Sequence, residues 1–487
     1  MQGDGRFYVE TLGCPKNQVD SDKIVGTLLT DGLVPTGDAS AADVVVVNTC
    51  AFIEEARKES IEVILQLDET RRNGSRLVVT GCMAARYGDE LAAELPEVDA
   101  VVGFGGAITE QQQRRLIPVA EAPMPTMDLL NLHRPPAQRP WSYVKVAEGC
   151  NRSCGFCAIP SFRGSQRSRD TASILEEVRS LQAQEIVLVA QDLASYGVDR
   201  PDELGAGSIV PLVKAVAAEV DRVRLLYLYP SDLSDELIDV ILGTDVPYFD
   251  LSLQHVSKPL LRRMRRWGDG DRFLQRISDI RAAQPDATMR SNFIVGYPGE
   301  TEDDHAALVD FVEEANLDWC GFFAFSREVG TYAYDLDGQV DASLMNERLA
   351  ELTELQDAIT ARKRDALIGE MVTVLIDEPG IGRSHREAPE IDGVVHVDAA
   401  LQAGGFAEVV IEEAWGPDLV AVGGVMPTVM RRFGNASRPQ CTSDMGKRNH
   451  CRTTRAVACD VSCYPRPPAG CMAGLFAVVR TEPQRWY

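Results

Sequence analysis

Three cysteines, Cys150, Cys154 and Cys157, stand close together in the stretch GCNRSCGFC, with three and then two residues between them. A four-coordinate metal centre built on this triplet lacks one protein ligand. An iron–sulfur cluster can be held by thiolates at three of its irons, and the fourth iron is then open to a small molecule. Gly149 and Gly155 permit the tight turns with which one loop could wrap around such a cluster.

A zinc site with three cysteines and one histidine is the alternative interpretation of this triplet. The nearest histidines are His133 and His255, and His255 follows Cys157 only after about a hundred residues. A zinc site would therefore need the fold to bring one of these histidines next to the triplet. The compact spacing of the triplet favours the cluster.

A second set of cysteines, Cys14, Cys50 and Cys82, is spread over the first hundred residues. Each follows a predicted strand, and these strands are RFYVETLG, ADVVVVNTC and RLVVTGC. Helical segments alternate with the strands, which indicates a parallel sheet. Because ligands bind beyond the carboxyl ends of parallel strands, we expect the three cysteines to converge at one edge of that sheet.

The elements that must position the first triplet form a longer alternation of strands and helices. Six strands are predicted after a proline-rich segment at residues 117–140: SYVKVAEG, EIVLVAQD, RVRLLYLYP, YFDLSLQH, TMRSNFIVGYPG and WCGFFAFS. Such repeats predict a barrel or partial barrel. The cysteine loop follows the first of these strands, and we expect it at the C-terminal face, where the active sites of such barrels lie.

Residues 369–424 change character, because short strand candidates separated by turns replace the alternation with helices. They predict a small β-barrel. The predicted fold is thus α/β, with an N-terminal parallel α/β domain, a central partial (β/α) TIM-like barrel and a C-terminal small β-barrel. The predicted segments are 5–117 for the N-terminal domain, 118–135 for a linker, 136–367 for the barrel, 368–430 for the β-barrel and 431–487 for a tail.

The 487 residues carry a net charge of −24, which disfavours non-specific binding of nucleic acid, although acidity also serves solubility. No apolar run reaches the roughly 18 residues that span a bilayer, and the N-terminus does not resemble a secretory signal. We therefore expect a cytoplasmic protein with no membrane partner. In that compartment clustered cysteines serve metals or redox chemistry more often than disulfides.

The tail has its own composition, with five cysteines, ten Lys or Arg and three Asp or Glu in 57 residues. These cysteines show no Cys-x2-Cys spacing, which disfavours an extra metal site. The composition favours a disordered segment or a coding sequence that is out of frame relative to its relatives.

The stretch GCNRSCGFCAIP resembles the signature of the radical S-adenosylmethionine (SAM) enzymes. This resemblance implies that Cys150, Cys154 and Cys157 bind a [4Fe–4S] cluster and that the amine and carboxylate of SAM chelate its open iron. It also implies that an electron from the cluster cleaves SAM and yields a 5′-deoxyadenosyl radical. The three cysteines are therefore the expected catalytic residues, and the protein supplies position and exclusion of water.

The stretches TLGCPKNQVDSD, VVVVNTCAFIEEA and VVTGCMAARY resemble the N-terminal domain of the methylthiotransferases within this superfamily. The β-barrel resembles a TRAM domain, and the likeness covers roughly residues 6–425. The resemblance implies that Cys14, Cys50 and Cys82 hold a second [4Fe–4S] cluster. One SAM would give a methyl group to sulfur at that cluster, and a second SAM would give the radical.

Two branches of this family act on different substrates. MiaB-like enzymes modify an adenosine of tRNA, whereas RimO-like enzymes modify an aspartate of ribosomal protein uS12. GCPKNQVDSD and GRSHREAPEIDGVVHV resemble the RimO-like branch, and the acidic residues 369–424 suit a basic protein better than tRNA. The resemblance thus implies uS12 as partner, an electron donor such as flavodoxin or ferredoxin, and a sulfur source, with no direct tRNA substrate expected.

Four further residues are candidates for contact with SAM. Gly296 lies in GYPGET, a loop that is near SAM in the superfamily, and Gln191 and Asp192 end the second barrel strand. Arg163, like Arg167 and Arg169, could bind a carboxylate of SAM or of the substrate aspartate through two hydrogen bonds.

Each candidate has a structural alternative. GYPGET could be a turn before a helix that Thr301 and Asp304 cap, and Asp192 could cap a turn. Arg163 could belong to a solvated basic loop with Arg167 and Arg169. Cys320 is expected in the core, and so is His255, although its place at a strand end would also suit an active-site group.

Overall fold

The computed structural model describes residues 5–109, 112, 127–204 and 209–425. The predicted tail and residues 118–126 of the predicted linker lie outside these ranges. Among the described helices, none combines the length and the apolarity that crossing a membrane requires.

Five parallel strands form the N-terminal sheet, and their order is β2-β1-β3-β4-β5. The strands are β1 (Arg6–Thr11), β2 (Val34–Pro35), β3 (Val44–Thr49), β4 (Arg76–Gly81) and β5 (Ala100–Val101). The helices between them are α1 (Pro15–Thr30), α2 (Glu54–Thr70) and α3 (Cys82–Glu94). Val45, Val46 and Val47 are all fully buried, because apolar clusters cover both faces of the sheet. The predicted parallel α/β domain is confirmed.

The central domain is a partial barrel of two three-stranded parallel sheets. One sheet contains β6 (Trp141–Lys145), β9 (Glu185–Val189) and β10 (Arg222–Leu225), and the other β11 (Tyr248–Gln254), β12 (Thr288–Val295) and β13 (Trp319–Ala324). A bridge between Leu228 and Leu251 joins them. A short antiparallel pair, β7 (Ala147–Glu148) and β8 (Arg167–Ser168), follows β6. β10 is shorter than predicted, because Tyr227 has a φ of +65° and interrupts the extended chain.

Helices alternate with the strands of the partial barrel, and the first of them lies in the cysteine loop. They are α4 (Ile159–Arg163), α5 (Thr171–Leu181), α6 (Pro201–Leu204), α7 (Ile209–Ala217), α8 (Asp235–Leu242), α9 (Lys258–Arg263), α10 (Gly270–Ala283), α11 (Glu302–Ala315) and α12 (Ala342–Asp365). Side chains cap several N-termini. At α11, Thr301 and Asp304 form the predicted capping box, each bonding to the backbone N–H of the other.

The C-terminal strands form a small closed barrel, as predicted. They are β14 (Met371–Glu378), β15 (Ile381–Arg383), β16 (Val395–His396), β17 (Phe406–Trp415) and β18 (Asp418–Val425). Along β17, Val409 and Ile411 are buried while Glu408 and Glu412 are exposed. This alternation places the acidic side chains on the outer surface.

A buried ion cluster joins this small barrel to the partial barrel. Glu185 accepts hydrogen bonds from Arg224 at 2.7 Å and from Arg383 at 3.1 Å, and all three side chains are almost fully buried. Burial alone would raise the pKa of Glu185, but Arg224 and Arg383 outweigh it and lower the pKa to about 2. Arg222 adds hydrogen bonds to the backbone oxygens of Arg383 and Thr373.

The described part of the predicted linker packs against the protein. Lys23 Nζ donates to the Leu130 carbonyl at 2.5 Å. Arg134 forms ion pairs with Asp22 of α1 at 2.7 Å and with Glu177 of α5 at 2.8 Å. These contacts tie the N-terminal sheet to the partial barrel through residues that sequence reasoning assigned to a linker.

Replacement of Glu185 by glutamine should destabilise the fold, because Arg224 and Arg383 would lose a buried counter-charge. Loss of one partner of a buried pair costs about 3–5 kcal/mol of unfolding free energy, measurable by urea denaturation. Glu236→Gln is the matched control, since Glu236 pairs with Lys214 at 3.9 Å and both side chains are exposed. Equal unfolding midpoints for the two variants would contradict the structural role of Glu185.

Candidate active site

The six cysteines of the two predicted triplets all line one cavity. It lies beyond the carboxyl ends of the parallel strands, because its lining residues end or follow strands of the N-terminal sheet and of the partial barrel. Its empty space, including the open mouth, is about 1640 Å³.

Cys14, Cys50 and Cys82, the dispersed triplet, come from three strand ends of the N-terminal sheet. Cys14 is the N-cap of α1, Cys50 follows β3, and Cys82 is the first residue of α3. Gly13 has a φ of +90°, and a Cβ there would lie 2.9 Å from Cys50 Sγ. A larger residue would therefore push the first and second cysteines apart.

The thiols of the dispersed triplet differ in the direction in which their pKa is shifted, because two positively charged side chains outweigh burial at Cys14. Burial raises the pKa of the Cys50 and Cys82 thiols. At Cys14 burial acts in the same direction, but the positive charges of Lys16 and Arg163 outweigh it and lower the pKa. The thiolate is the metal-binding form of cysteine, so these charges favour the form of Cys14 that binds a metal.

Cys150, Cys154 and Cys157, the loop triplet, are held by backbone hydrogen bonds. The Cys150 N–H donates to the Gly164 carbonyl, and the Cys157 N–H donates to the Cys154 carbonyl, each at 3.1 Å. The Arg152 N–H donates to Cys150 Sγ at 3.3 Å. Burial raises the pKa of Cys150 and raises that of Cys157 to about 12. A bound metal would have to deprotonate these two thiols.

Gln191 and Asp192 follow β9 and line the cavity. Gln191 Nε2 donates to Glu148 Oε1 at 2.8 Å, and Asp192 Oδ2 accepts from Arg152 Nε at 2.6 Å. Within the described chain, Gln191 Oε1 and Asp192 Oδ1 are buried and have no hydrogen-bond partner. Buried acceptors of this kind call for a donor from a bound molecule. Their predicted contact with SAM stays a prediction, and the geometry is compatible with it.

Arg163 also lines the cavity, but its partners belong to the protein. One terminal nitrogen donates to Cys82 Sγ at 3.1 Å and to Asn17 Oδ1 at 2.7 Å. The other donates to Glu148 at 2.9 Å and to Asp20 at 3.2 Å. Burial disfavours its charge, yet the negative groups around it raise the pKa of Arg163 above its usual value. Within the protein Arg163 binds the carboxylates of Glu148 and Asp20, and its predicted contact with SAM stays a prediction.

The alternative interpretation, a solvated basic loop, is correct for one of the three arginines. Arg167 is exposed and pairs with Asp128 at 3.2 Å. Arg169 and Arg163 are buried, and Arg169 pairs with Glu177 at 2.6 Å. The interpretation is wrong for these two because each finds an internal carboxylate that compensates the burial of its charge.

Gly296 is not among the residues that line the described cavity. Its φ is +80°, its N–H donates to Glu300 Oε2 at 2.6 Å, and a Cβ there would lie 2.1 Å from Met345 Sδ. The turn before the capped helix accounts for this glycine. Its predicted contact with SAM stays a prediction.

His255 and Cys320 have the expected core positions. His255 is fully buried, and its Nδ1 accepts from the Ser257 N–H at 3.0 Å. Burial lowers the pKa of His255 to about 4, so the ring is neutral at physiological pH. Cys320, on β13, packs against the apolar core of the partial barrel.

Sequence reasoning missed several polar residues of the cavity. Arg152 and Arg266 lie 4.0 and 4.1 Å from the centre of the Tyr229 ring, and Lys16 Nζ lies 3.2 Å from that of Tyr227. Proximity to a cysteine was the available signal for Lys16 and Arg152. Arg266 and the two tyrosines carry no local signal, since only the fold brings them to the cavity.

A three-residue clasp, formed by Arg57, Arg86 and Glu328, joins the two domains at the cavity. Arg57 lies on α2, just after Cys50, and Arg86 lies on α3, which begins with Cys82. Their side chains form ion pairs with Glu328 Oε2 at 2.6 and 2.8 Å. Glu328, in the loop after β13, is 2% exposed and lines the cavity. The clasp therefore fixes α3, which begins with Cys82, and α2, which follows Cys50, against the end of the partial barrel.

The donor set fits iron–sulfur clusters. Each triplet offers thiolates alone, the ligands of such clusters, and no histidine lines the cavity of the described chain. Among the described residues, no three His, Cys, Asp or Glu side chains are grouped closely enough to hold a single metal ion. The cavity therefore does not present the Cys3His zinc site considered above.

The clasp can be tested by Glu328→Gln, which leaves Arg57 and Arg86 without their shared counter-charge. An unpaired buried group costs roughly 1–3 kcal/mol, which corresponds to roughly 5- to 150-fold more frequent local opening. Amide hydrogen exchange should accelerate by that factor in residues 50–58 and 326–331. The control Glu54→Gln removes an exposed partner of Lys58 on the same helix and should leave exchange unchanged. Unaltered exchange in Glu328→Gln would show that the clasp does not hold the domains.

Three family profiles match successive parts of the chain. Residues 6–103 match the Uncharacterized protein family UPF0004, residues 144–312 the Radical SAM superfamily and residues 368–423 the TRAM domain. The first match contains the dispersed triplet and the second contains the loop triplet.

Curated relatives match over most of the chain. The ribosomal protein uS12 methylthiotransferase RimO of Moorella thermoacetica is 44% identical over 402 residues, which cover 80% of this chain and 93% of the relative. The proteins of the same name from Cutibacterium acnes and Streptomyces griseus are each 40% identical, over 85% and 79% of this chain and 97% and 90% of their own lengths. The chain therefore belongs to the RimO family of radical SAM methylthiotransferases.

Proposed function

We propose that this chain is a transferase that inserts a methylthio group at the β-carbon of an aspartate in ribosomal protein uS12. The observation that carries the proposal is the meeting of two cysteine triplets at one cavity. Membership of the RimO family, whose curated members bear the name uS12 methylthiotransferase, supports this substrate. The alternative, modification of a tRNA adenosine, has no such support.

The loop triplet, Cys150, Cys154 and Cys157, would hold the [4Fe–4S] cluster to which SAM binds. When bound, this cluster supplies the electron that cleaves SAM to the 5′-deoxyadenosyl radical, which abstracts a hydrogen atom from the substrate. The chain's part is to position SAM and to keep water away. The free acceptor oxygens of Gln191 and Asp192 are suited to the amine and hydroxyl donors of SAM.

The dispersed triplet, Cys14, Cys50 and Cys82, would hold a second [4Fe–4S] cluster, which carries the sulfur to be methylated and transferred. Arg163 donates to Cys82 Sγ and Lys16 lies beside Cys14, so two positive charges offset the thiolates. Hydrogen bonds to ligand sulfurs tune the potential of such clusters. One cavity for both triplets gives one substrate aspartate access to radical and sulfur alike.

The surface of the small C-terminal barrel supports a basic protein as substrate. Residues 369–424 contain eleven Asp or Glu, two Arg and no Lys, and Glu408, Glu412 and Glu413 of β17 are exposed. A surface of this sign attracts a basic ribosomal protein and repels the phosphates of tRNA. We place the enzyme in the cytoplasm with its substrate, and it requires an external electron donor, such as flavodoxin or ferredoxin, and a sulfur source.

Substitution of the cysteines should separate the two clusters. After anaerobic reconstitution the wild type should hold about eight irons, and Cys150→Ala/Cys154→Ala/Cys157→Ala should hold roughly half and form no 5′-deoxyadenosine. Cys14→Ala/Cys50→Ala/Cys82→Ala should also hold roughly half but should still cleave SAM without forming product. Cys320→Ala is the control and should retain all iron and activity. Formation of 5′-deoxyadenosine by the first variant would exclude the proposed role of the loop triplet.

Deletion of the gene should identify the substrate. Mass spectrometry of uS12 from the deletion strain should show loss of the methylthio group from its aspartate, and the methylthiolated nucleosides of tRNA should be unchanged. Complementation with the wild-type gene should restore the group, and complementation with the loop-triplet variant should not. Loss of the modification from tRNA alone would support the MiaB-like alternative.

A further inference from the structure

A strongly basic segment lies within this acidic protein. Residues 256–276 contain seven Lys or Arg and two Asp, whereas the whole chain has a net charge of −24. The segment comprises α9, the loop that follows it and the first half of α10. Its charge is not needed by the substrate proposed above, because uS12 is itself basic.

Part of this segment forms an exposed surface with aromatic side chains. We call this surface the basic face and define it by Arg262, Arg265, Trp267, Arg272 and Tyr332. Arg262, Arg265 and Arg272 are exposed, and Trp267 and Tyr332 are each 43% exposed. Arg265 lies 3.7 Å from the centre of the Tyr332 ring, and Arg272 lies 5.6 Å from that of Trp267. Within the described residues, Arg262 and Arg265 form no ion pair, so their charge is available to a partner.

The basic face is in direct contact with the cysteine loop beneath it. The Gly155 N–H donates to the Met264 carbonyl at 2.8 Å, and the buried Arg266 donates to Cys154 Sγ at 3.4 Å. The N–H of Ala333, next to Tyr332, donates to the Gly155 carbonyl at 2.8 Å. The sequence neighbours of Arg265 and of Tyr332 thus form hydrogen bonds with Cys154 or with Gly155. A protein bound to the basic face would lie over a ligand of the loop triplet.

We propose that the basic face is the docking surface for an acidic electron-carrier protein with a flavin or iron–sulfur group. The inference rests on the proposed function, because cleavage of SAM consumes one electron. The carrier's reduced group is oxidised by one electron, and the cluster held by the loop triplet is reduced by one. No bond and no proton is exchanged in this transfer.

Charge complementarity favours this occupant. Transient redox complexes bury small interfaces, below about 1,200 Å², and depend on opposite charges for rapid association. A small patch of arginines with two aromatic side chains suits such a transient complex with an acidic protein. Ribosomal RNA is the other polyanion near the substrate, but contact with RNA would not require a location over Cys154.

The test compares two reductants on the reconstituted enzyme. Flavodoxin, reduced by NADPH and flavodoxin reductase, must dock, whereas dithionite does not. Arg262→Glu/Arg265→Glu should lower flavodoxin-driven formation of 5′-deoxyadenosine by about 10-fold or more and leave the dithionite-driven rate unchanged. Arg179→Glu/Lys214→Glu is the control with the same change of charge, at two exposed residues on α5 and α7, and should behave as the wild type with both reductants.

The dependence of the rate on ionic strength provides a second test, which uses the wild-type protein alone. Raising the ionic strength from about 0.01 M to about 1 M shortens the Debye length from about 30 Å to about 3 Å. The flavodoxin-driven rate should fall steeply over this range, and the dithionite-driven rate should not.

Several results would overturn the docking surface. They are an unchanged flavodoxin-driven rate in Arg262→Glu/Arg265→Glu, an equal loss in the control variant, or a wild-type rate with flavodoxin that is insensitive to salt. Loss of binding to the small ribosomal subunit, with flavodoxin-driven cleavage intact, would assign the face to RNA instead. Failure of the wild type to cleave SAM with dithionite would refute the proposed function itself, which distinguishes the two failures.

Discussion

The Arg163 guanidinium connects the two halves of the site, and the arrangement of the cavity depends on its contacts. It donates to Cys82 Sγ of the dispersed triplet, to Asp20 on α1 and to Glu148 at the start of the cysteine loop. A buried charge is costly unless it is paired and hydrogen-bonded, so Arg163 has few alternative positions. Lys145 lies in the same network and forms ion pairs with both Asp20 and Glu148. The N-terminal sheet and the partial barrel therefore meet through a set of charges that are satisfied only when both domains are in place.

This constraint serves chemistry that uses two cysteine sets. The clasp at Glu328 holds α2 and α3 through a second set of ion pairs at the cavity. Together with the Arg163 network it fixes the strand ends that carry the dispersed triplet relative to the loop triplet. Binding and catalysis lose efficiency steeply when reacting groups are misplaced. Buried ion pairs are a costly way to join two surfaces, and here they lie where the position of a cysteine depends on them.

Charge is divided among the surfaces of the molecule rather than spread evenly. The small C-terminal barrel is acidic on its outside, in keeping with a basic protein substrate, whereas the basic face lies over the loop triplet. The two surfaces would attract partners of opposite sign. A substrate and an electron carrier could then bind the same enzyme without competition for one surface.

The sequence by itself determined that the N-terminal strands are parallel and that a partial barrel and a small β-barrel follow. It also identified the cysteines of both triplets. These features depend on local periodicity, on turn residues and on spacing within one loop, all of which can be seen in a short window. Only the tertiary structure showed that both triplets line one cavity, that Glu148 and Asp20 bind Arg163, and that Gly296 belongs to a turn outside the cavity lining. The meeting of the triplets and the pairing of Arg163 with Asp20 depend on contacts between segments more than a hundred residues apart, as does the pairing of Arg86 with Glu328. Long-range pairing of this kind leaves no spacing signal, because the fold, and not the distance along the chain, decides which charges meet.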